Sequence, residues 1–446
     1  MAPDCTAAPV AARLDHMPAT LLHCLAVALC ALGFAVDIFE ITLGTTLSAV
    51  FSAPPHAIDP ARLALLLGAV YVGAVAGAPL LGWFGDRVGR KRILMAALLF
   101  LAVTSLGAAF SRDLGQLSAW RLLSGLALGG YPPLMFTYLA DLLPARRRGL
   151  FVLVTVASAS LGPVAGTFLV RALVPLQPLG LEAWRWGFVA GGAACAAVGL
   201  MFAWLPESPR WLEARGRHAE AAAGCARLAA ARTVMAPLAP LPVAGKAAES
   251  APDATLAADA RRRWLLVSSL FFLTAWPTVA FPLLSGAILA HKGFALRDTL
   301  LYVALAALGP IIGTLAASFG IDRVGRRSAY AATSLAAAAC GMVFVSAQQP
   351  ALLVASSLGF MLCATVSLSV LHLYASELFP TASRARAVAG SWAVNRIGAA
   401  CAPLLLLPLL ESRGPLAMYA VIALAVGAGV ALLPVAPPGR PRSALG

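Results

Sequence analysis

The segment GDRVGRK, residues 85–91, recurs in the second half of the chain as IDRVGRR, residues 321–327. Three matches at one interval along the chain indicate an internal duplication, so we expect two related halves. The two further matches at that interval pair DLLPARRRG (141–149) with ELFPTASRA (377–385), and SLGPVAG (160–166) with RIGAACAP (396–403).

The composition indicates that the duplicated chain is a membrane protein. The 446 residues are 60% hydrophobic and 12% charged, whereas soluble domains are about 45–50% apolar and about 25% charged. Apolar runs of about 20 residues, the length that crosses a bilayer, recur twelve times. We therefore predict an all-α membrane protein with twelve transmembrane helices in two pseudo-symmetric six-helix halves, residues 1–205 and 264–446. A cytoplasmic linker over 206–263 joins them, and a short cytoplasmic tail ends the chain.

The positive charges orient the helices. The chain has a net charge of +14, and most of its 33 Lys and Arg residues fall on one side of the membrane if both termini are cytoplasmic. This bias explains the basic composition without nucleic acid as a partner. We expect a multi-pass protein of the inner (cytoplasmic) membrane, surrounded by lipid and functional as a monomer.

The sequence offers no support for an enzyme. The eight cysteines include no CxxC pair, and no nucleophile–base or metal-ligand cluster stands out. The P-loop pattern G-x4-G-K-[ST] of ATP-driven pumps does not occur. We expect no cofactor and no metal.

Two carboxylates interrupt the first apolar run. Asp37 and Glu40 are three residues apart, so they share a helical face, although a carboxylate in hydrocarbon costs about 2.5–3.5 kcal/mol. Two neighbouring carboxylates away from bulk water disfavour the doubly charged form. We therefore predict that the pair faces a water-filled cavity and carries a proton; the alternative is a structural pair satisfied by Arg121 or by helix ends.

Arg121 and Arg396 are the two cations inside predicted spans. A guanidinium is a planar fork suited to a carboxylate, so each arginine is a candidate anchor for an anionic substrate. For Arg121 a structural ion pair is equally consistent with the sequence, and Arg396 could instead belong to a cytoplasmic network around Arg384. The other candidates for substrate binding could equally serve packing; they are Tyr131, Tyr138, Trp276, His372, Tyr374 and Trp392.

Together these motifs resemble the major facilitator superfamily over nearly the whole chain. GDRVGRK is similar to its signature between helices 2 and 3, and RLLSGLALGGYPP (121–133) to its Arg-x3-Gly pattern in helix 4. PESPRWL (206–212) and YASELFPTASRARAVA (374–389) narrow the resemblance to the sugar-porter-like branch. DIFEI (37–41) resembles the D-G-[FY]-D pattern of aromatic-acid and metabolite proton symporters, with Ile38 and Glu40 replacing the second and fourth residues.

The resemblance implies a latch at the cytoplasmic face, in which Asp86 meets the end of helix 11 when the carrier faces outward. The gating residues it implies are Asp86, Arg87, Arg90, Asp141 and Arg146 in the first half and Asp322, Arg323, Arg326, Glu377 and Arg384 in the second.

The resemblance also implies a secondary transporter that takes up a small organic acid, aromatic or another carboxylic acid, together with protons by alternating access. Proton-driven efflux of drugs or metabolites and uptake of a sugar-like or nicotinate-like solute are the alternatives. A sugar is disfavoured because helix 7, FFLTAWPTVAFPLLSG (271–286), lacks the paired glutamines of sugar porters. A non-transporting sensor is disfavoured by the intact gate motifs and intramembrane charges.

Overall fold

The structure, a computed structural model, describes residues 10–235, 254–320, 325–379 and 381–435. The first half forms α1 (Val10–His16), β1 (Ala19–Thr20), α2 (Leu21–Phe51), α3 (Pro60–Val88), α4 (Arg90–Ala109), α5 (Leu114–Leu142), α6 (Ala145–Ala159), α7 (Leu161–Leu173) and α8 (Ala183–Met201). The linker contributes α9 (Pro209–Ala214), α10 (His218–Ala230) and β2 (Thr233–Met235). The second half forms α11 (Ala254–Ala275), a π-helical turn (Trp276–Ala280), α12 (Phe281–His291), α13 (Leu296–Ala306), α14 (Gly309–Gly320), α15 (Arg326–Ser346), α16 (Pro350–Leu378) and α17 (Thr381–Ala431).

Ten helical segments in the described part of the chain are long and apolar enough to span a membrane. Two elements account for the difference from the predicted twelve. The last segment has 49 residues and leaves helical geometry at Gly414, where φ is 82°, so it crosses twice at about 20 residues per crossing. The second element is α5, which has 29 residues and contains Pro132 and Pro133 as well as Arg121; it is long enough to cross but is not among the ten. The prediction of twelve membrane helices is confirmed.

Three spans are broken near the middle of the membrane. The fifth span breaks at Ser160, between α6 and α7, and the eighth breaks between α13 and α14. The seventh contains the π-helical turn Trp276–Ala280. A proline follows or lies within each break, and proline removes a backbone donor and clashes with the preceding turn. These breaks expose backbone and small side chains at the level where the two halves meet.

On the exterior side the halves contact each other closely. Thr45 Oγ1 on α2 donates to the carbonyl oxygen of Pro282 at 3.1 Å, and Ser48 Oγ donates to that of Leu283 at 2.8 Å. The described ion pairs on the cytoplasmic side, by contrast, join helices of the same half: Arg90 with Asp141 and Arg326 with Glu377. The contacts of Thr45 and Ser48 therefore close the interface between the halves at its exterior end.

The described part of the linker packs against the first half. Strand β2 pairs with β1 in an antiparallel arrangement, and Arg210 of α9 binds Asp15 of α1 at 2.6 Å. Trp211 and Leu228 are buried. Helix α11 begins at Ala254, inside the range predicted for the linker, and leads into the seventh span. The division into 1–205, 206–263 and 264–446 remains a prediction.

Candidate functional site

A cavity of about 230 Å³ lies between the halves. Its walls come from both halves, at the breaks of the fifth, seventh and eighth spans and on α2, α3, α16 and α17, and they are mostly apolar. Among the described residues that line it, Arg396 alone carries a formal charge. The lining residues include Ile38, Ile41, Thr45, Tyr71, Thr278 and Arg396.

Arg396 has no anionic protein partner in the described chain. Its guanidinium carbon lies 4.3 Å from the centre of the Trp392 ring, a cation–π contact, and no hydrogen bond or ion pair joins it to another described residue. A charge in apolar surroundings is costly unless it is paired. The cavity therefore presents a cation that forms no direct ion pair with a described residue, which is the chemistry of an anion site.

The ring under Arg396 is held by two other aromatic side chains. Trp392 packs against His372 and Phe271, with ring centres 5.1 and 6.0 Å apart. The Nδ1 atom of His372 lies 2.9 Å from the carbonyl oxygen of Leu368. Two of the predicted residues, His372 and Trp392, thus support Arg396 from behind and do not themselves line the cavity.

Asp37 lies beside this site on α2. The cavity face of α2 is formed by Ile38, Ile41 and Thr45, and Asp37 is almost fully buried at its edge, with 1% of its surface exposed. Its Oδ1 atom has no hydrogen-bond partner in the described chain. Arg396 and Glu40 are the charged groups that interact with it. Asp37 therefore combines an unsatisfied oxygen with proximity to the cavity cation.

Glu40 points away from the cavity, into the first half. Its Oε1 accepts a hydrogen bond from Ser105 Oγ at 2.7 Å, and its Oε2 lies 3.7 Å from Arg121 Nη1. Both partners of this ion pair are buried, and Arg121 also lies 5.5 Å from the Phe188 ring. The sequence left two roles open for Arg121, a structural ion pair and a substrate anchor. The structure shows the ion pair, and Arg121 does not line the cavity.

The remaining aromatic candidates also lie outside the cavity lining. Tyr131 Oη donates to the carbonyl oxygen of Cys30 at 3.5 Å, and Tyr138 Oη to that of Pro206 at 2.7 Å. Trp276 opens the π-helical turn, and its Nε1 has no hydrogen-bond partner in the described chain. Tyr374 is buried in the second half. Their predicted part in substrate binding is not supported by contact with this cavity.

The predicted gating residues of the first half lie at the cytoplasmic end of α3 to α5. Arg90 forms an ion pair with Asp141, which also accepts a hydrogen bond from Ser208 Oγ at 2.7 Å. The Arg87 guanidinium lies 3.8 Å from the centre of the Trp83 ring. The side chain of Asp86 is exposed. The side chain of Arg146 lies outside the described part of the structure.

In the second half, Arg326 Nε donates to Glu377 Oε1 at 3.0 Å. This bond mirrors the ion pair between Arg90 and Asp141, since Glu377 occupies the place of Asp141 in the repeat. Asp322 and Arg323 lie outside the described residues, and so does the side chain of Arg384.

Residues 23–433 match the profile of the family described as "Sugar (and other) transporter". The chain belongs to this family. It is therefore a multi-pass membrane transporter and not an enzyme.

Two relatives of this transporter carry named solutes. The niacin transporter NiaP of Acinetobacter baylyi is 25% identical over 97% of this chain and 99% of its own length. The 4-hydroxybenzoate transporter PcaK of Pseudomonas aeruginosa is 29% identical over 77% of this chain and 76% of its own. Among solved structures, the partially occluded inward-open xylose transporter XylE of Escherichia coli superimposes with a TM-score of 0.72 at 17% identity, covering 93% of this chain and 98% of XylE. That likeness confirms the major facilitator fold.

The structure of the transporter adds functional candidates that the sequence did not single out. Tyr71 of α3 lines the cavity but lies in an apolar run without a motif. Glu207, inside the quoted PESPRWL motif, accepts backbone N–H groups at the start of α4: Lys91 N at 2.8 Å and Arg92 N at 3.4 Å. The motif contains Glu207, but only the fold shows which helix it caps.

Proposed function

We propose that this transporter couples the uptake of a small organic acid, aromatic or another carboxylic acid, to the inward movement of protons across the inner membrane by alternating access. The observation that carries the proposal is the cavity position of Arg396. Its guanidinium offers five N–H donors and forms no hydrogen bond or ion pair with the rest of the described chain. A carboxylate is the ligand that matches this fork in charge and in geometry.

The size and lining of the cavity favour a small substrate with an apolar body. Its volume of about 230 Å³ is below the ~300–1,000 Å³ of sites for drug-sized ligands. Apolar and small hydroxyl side chains surround Arg396, so a ring would fit where many sugar hydroxyls would remain unsatisfied. The printed solutes of the two named relatives, niacin and 4-hydroxybenzoate, are aromatic carboxylic acids.

Asp37 is the better placed of the two predicted proton carriers. It lies close to the cavity and interacts with Arg396, whereas Glu40 is engaged by Ser105 and Arg121. A proton on Asp37 leaves Arg396 free for the substrate anion, and an ionised Asp37 competes with that anion for Arg396. Proton and substrate therefore favour each other's binding, which is the coupling that symport requires.

The test is uptake into proteoliposomes under an inward proton gradient. The panel contains benzoate, nicotinate, 4-hydroxybenzoate, xylose and a cationic drug. We expect one or more carboxylates to accumulate in a manner that collapses with a protonophore. Accumulation of xylose alone would contradict the proposal, and so would movement of the cationic drug in exchange for protons; the second result would identify proton-driven efflux.

A further inference from the structure

Tyr71 brings a second free donor to the cavity from the opposite half. It lies on α3, lines the cavity and is only 2% exposed. Its hydroxyl forms no hydrogen bond with another described residue. Buried tyrosine hydroxyls usually find a partner, as those of Tyr138 and Tyr419 do. The hydroxyl of Tyr71 is thus an unused donor inside the proposed substrate site.

The crossing of α3 with α17 places Tyr71 next to Arg396. A Cβ atom added at Gly68 of α3 would lie 3.0 Å from the carbonyl oxygen of Ala400 on α17, so the two backbones approach closely there. The helices run in opposite directions across the membrane. Tyr71 and Arg396 are each about one turn from this crossing, both toward the cytoplasm. Both residues line the same cavity.

We propose that Tyr71 and Arg396 hold the same substrate carboxylate from opposite halves of the transporter. This inference rests on the proposed function, because it assumes that the anion binds at Arg396. The phenolic O–H of Tyr71 donates to one carboxylate oxygen, and the guanidinium of Arg396 donates to the other or to both. A carboxylate has about four acceptor sites, so three donors do not exceed its capacity.

Arg396 and Tyr71 contribute differently to the recognition of the substrate. Arg396 supplies the charge and the planar fork, while Tyr71 supplies a neutral donor at a fixed distance from the crossing of α3 and α17. Since each donor belongs to a different half, a bound carboxylate links the two helices about one turn from their crossing. The hydroxyl of Tyr71 thereby helps to specify a carboxylate over other groups of similar size.

The experiment measures equilibrium binding of benzoate and nicotinate to the full-length transporter in lipid nanodiscs. Tyr71→Phe keeps the ring and removes only the hydroxyl. A hydrogen bond to a charged group is strong enough that its loss should raise the Kd of both probes roughly tenfold. Tyr419→Phe is the matched control, since it removes a buried hydroxyl that donates to Ala338 at 2.8 Å in the second half, and it should leave both Kd values unchanged.

A double-mutant cycle separates shared recognition from a structural effect. If Tyr71 and Arg396 hold one carboxylate, the Kd increase of Tyr71→Phe combined with Arg396→Lys should be smaller than the product of the two single increases. Thermal unfolding of each variant shows whether the fold is intact, and Kd is compared only among variants that unfold within the wild-type range.

The outcomes separate this inference from the proposed function. Wild-type protein that binds carboxylates, with Tyr71→Phe within about twofold of it or with independent effects in the cycle, would overturn the inference and leave the proposed function standing. Wild-type protein that binds no probe, or binds it equally well after Arg396→Gln, would overturn both.

Discussion

Arg121 contacts Glu40 at two places: its Nη1 donates to the backbone oxygen of Glu40 at 3.1 Å and lies 3.7 Å from the carboxylate Oε2. Both side chains are fully buried. The pair joins α5 to α2 inside the first half, away from the cavity that contains Arg396. The two intramembrane arginines therefore differ in their surroundings: Arg121 forms a buried ion pair, and Arg396 lines the cavity.

The first prediction concerns this difference. Arg121→Gln leaves Glu40 buried without its partner, and breaking a buried ion pair costs about 3–5 kcal/mol, so thermal unfolding should occur at a clearly lower temperature. Adding Glu40→Gln removes the orphaned charge and should recover much of the loss. Arg396→Gln should leave the unfolding temperature nearly unchanged and abolish carboxylate binding. Loss of binding in an Arg121→Gln/Glu40→Gln protein that unfolds normally would instead make Arg121 a substrate anchor.

The second prediction concerns proton coupling. Asp37→Asn keeps the size and hydrogen-bonding capacity of the side chain but removes the titratable proton. It should abolish accumulation against a gradient and spare the exchange of internal for external substrate, which needs no net proton release. Proton-driven uptake and counterflow in proteoliposomes measure the two activities. Normal, pH-dependent accumulation by Asp37→Asn would show that another group carries the proton. Glu40 and then His372 are the next candidates.

The third prediction concerns the cytoplasmic latch. The side chain of Asp86 is exposed and does not line the cavity, so Asp86→Asn should not alter the substrate affinity of the conformation described here. It should slow turnover, because the resemblance implies that Asp86 contacts helix 11 only in the outward-facing state, and removing a contact from one state shifts the balance between the two. Transport rates and equilibrium Kd are compared, with the exposed Arg92, which is outside the gating set, changed to Gln as a neighbouring control. A large loss of affinity without a change in the conformer population would contradict the latch.

The fourth prediction concerns Lys292, in the loop after α12. Its Nζ donates to the carbonyl oxygens of Phe344 and Ala347 at the end of α15, and burial lowers its pKa from 10.5 to about 8. Between these pH values the unfolded chain binds more protons at this group than the folded one, so its contribution to stability rises with pH from about 8 to 10.5. Neutral lysine still has two N–H donors for the two carbonyls.

Lys292→Met removes the titrating amine and therefore tests the predicted pH dependence. The difference in unfolding temperature between the wild type and Lys292→Met should change steadily in favour of the wild type from pH 8 to pH 10.5. Comparing the two proteins cancels other groups that titrate in this range. A difference that is constant across the range would show that Lys292 keeps an ordinary pKa in the folded protein.

The architecture could be predicted from the sequence because it depends on local quantities. Run length predicted the twelve membrane helices, and the proline that follows Gly162 and Gly309 marked two of the three breaks near the cavity. The repeat of GDRVGRK paired the halves. Even α5, which is not among the ten segments, was predicted because residues 115–143 form an apolar run long enough to cross.

The direction of each side chain could not be predicted in the same way. Asp37 and Glu40 are separated by only about 60° around the helix axis, so the sequence placed both on one face. The structure turns Glu40 into the first half, where Gly191 leaves room for its carboxylate, and leaves Asp37 at the cavity edge. The rotation of α2 is set by such contacts with other helices. Tyr71 was missed for the same reason, since its exposure to the cavity depends on where α3 crosses α17.

The carboxylate of Glu207 fills the space that a side chain at Gly89 would need. The backbone at Gly89 has a φ of 122°, and a Cβ there would overlap the Glu207 carboxylate that accepts the N–H groups of α4. Glycine at position 89 is therefore required twice, by the backbone conformation and by the carboxylate that fills the space beside it. Relatives of this chain that keep the carboxylate at position 207 should keep glycine at position 89, although more than a hundred residues separate the two in the sequence.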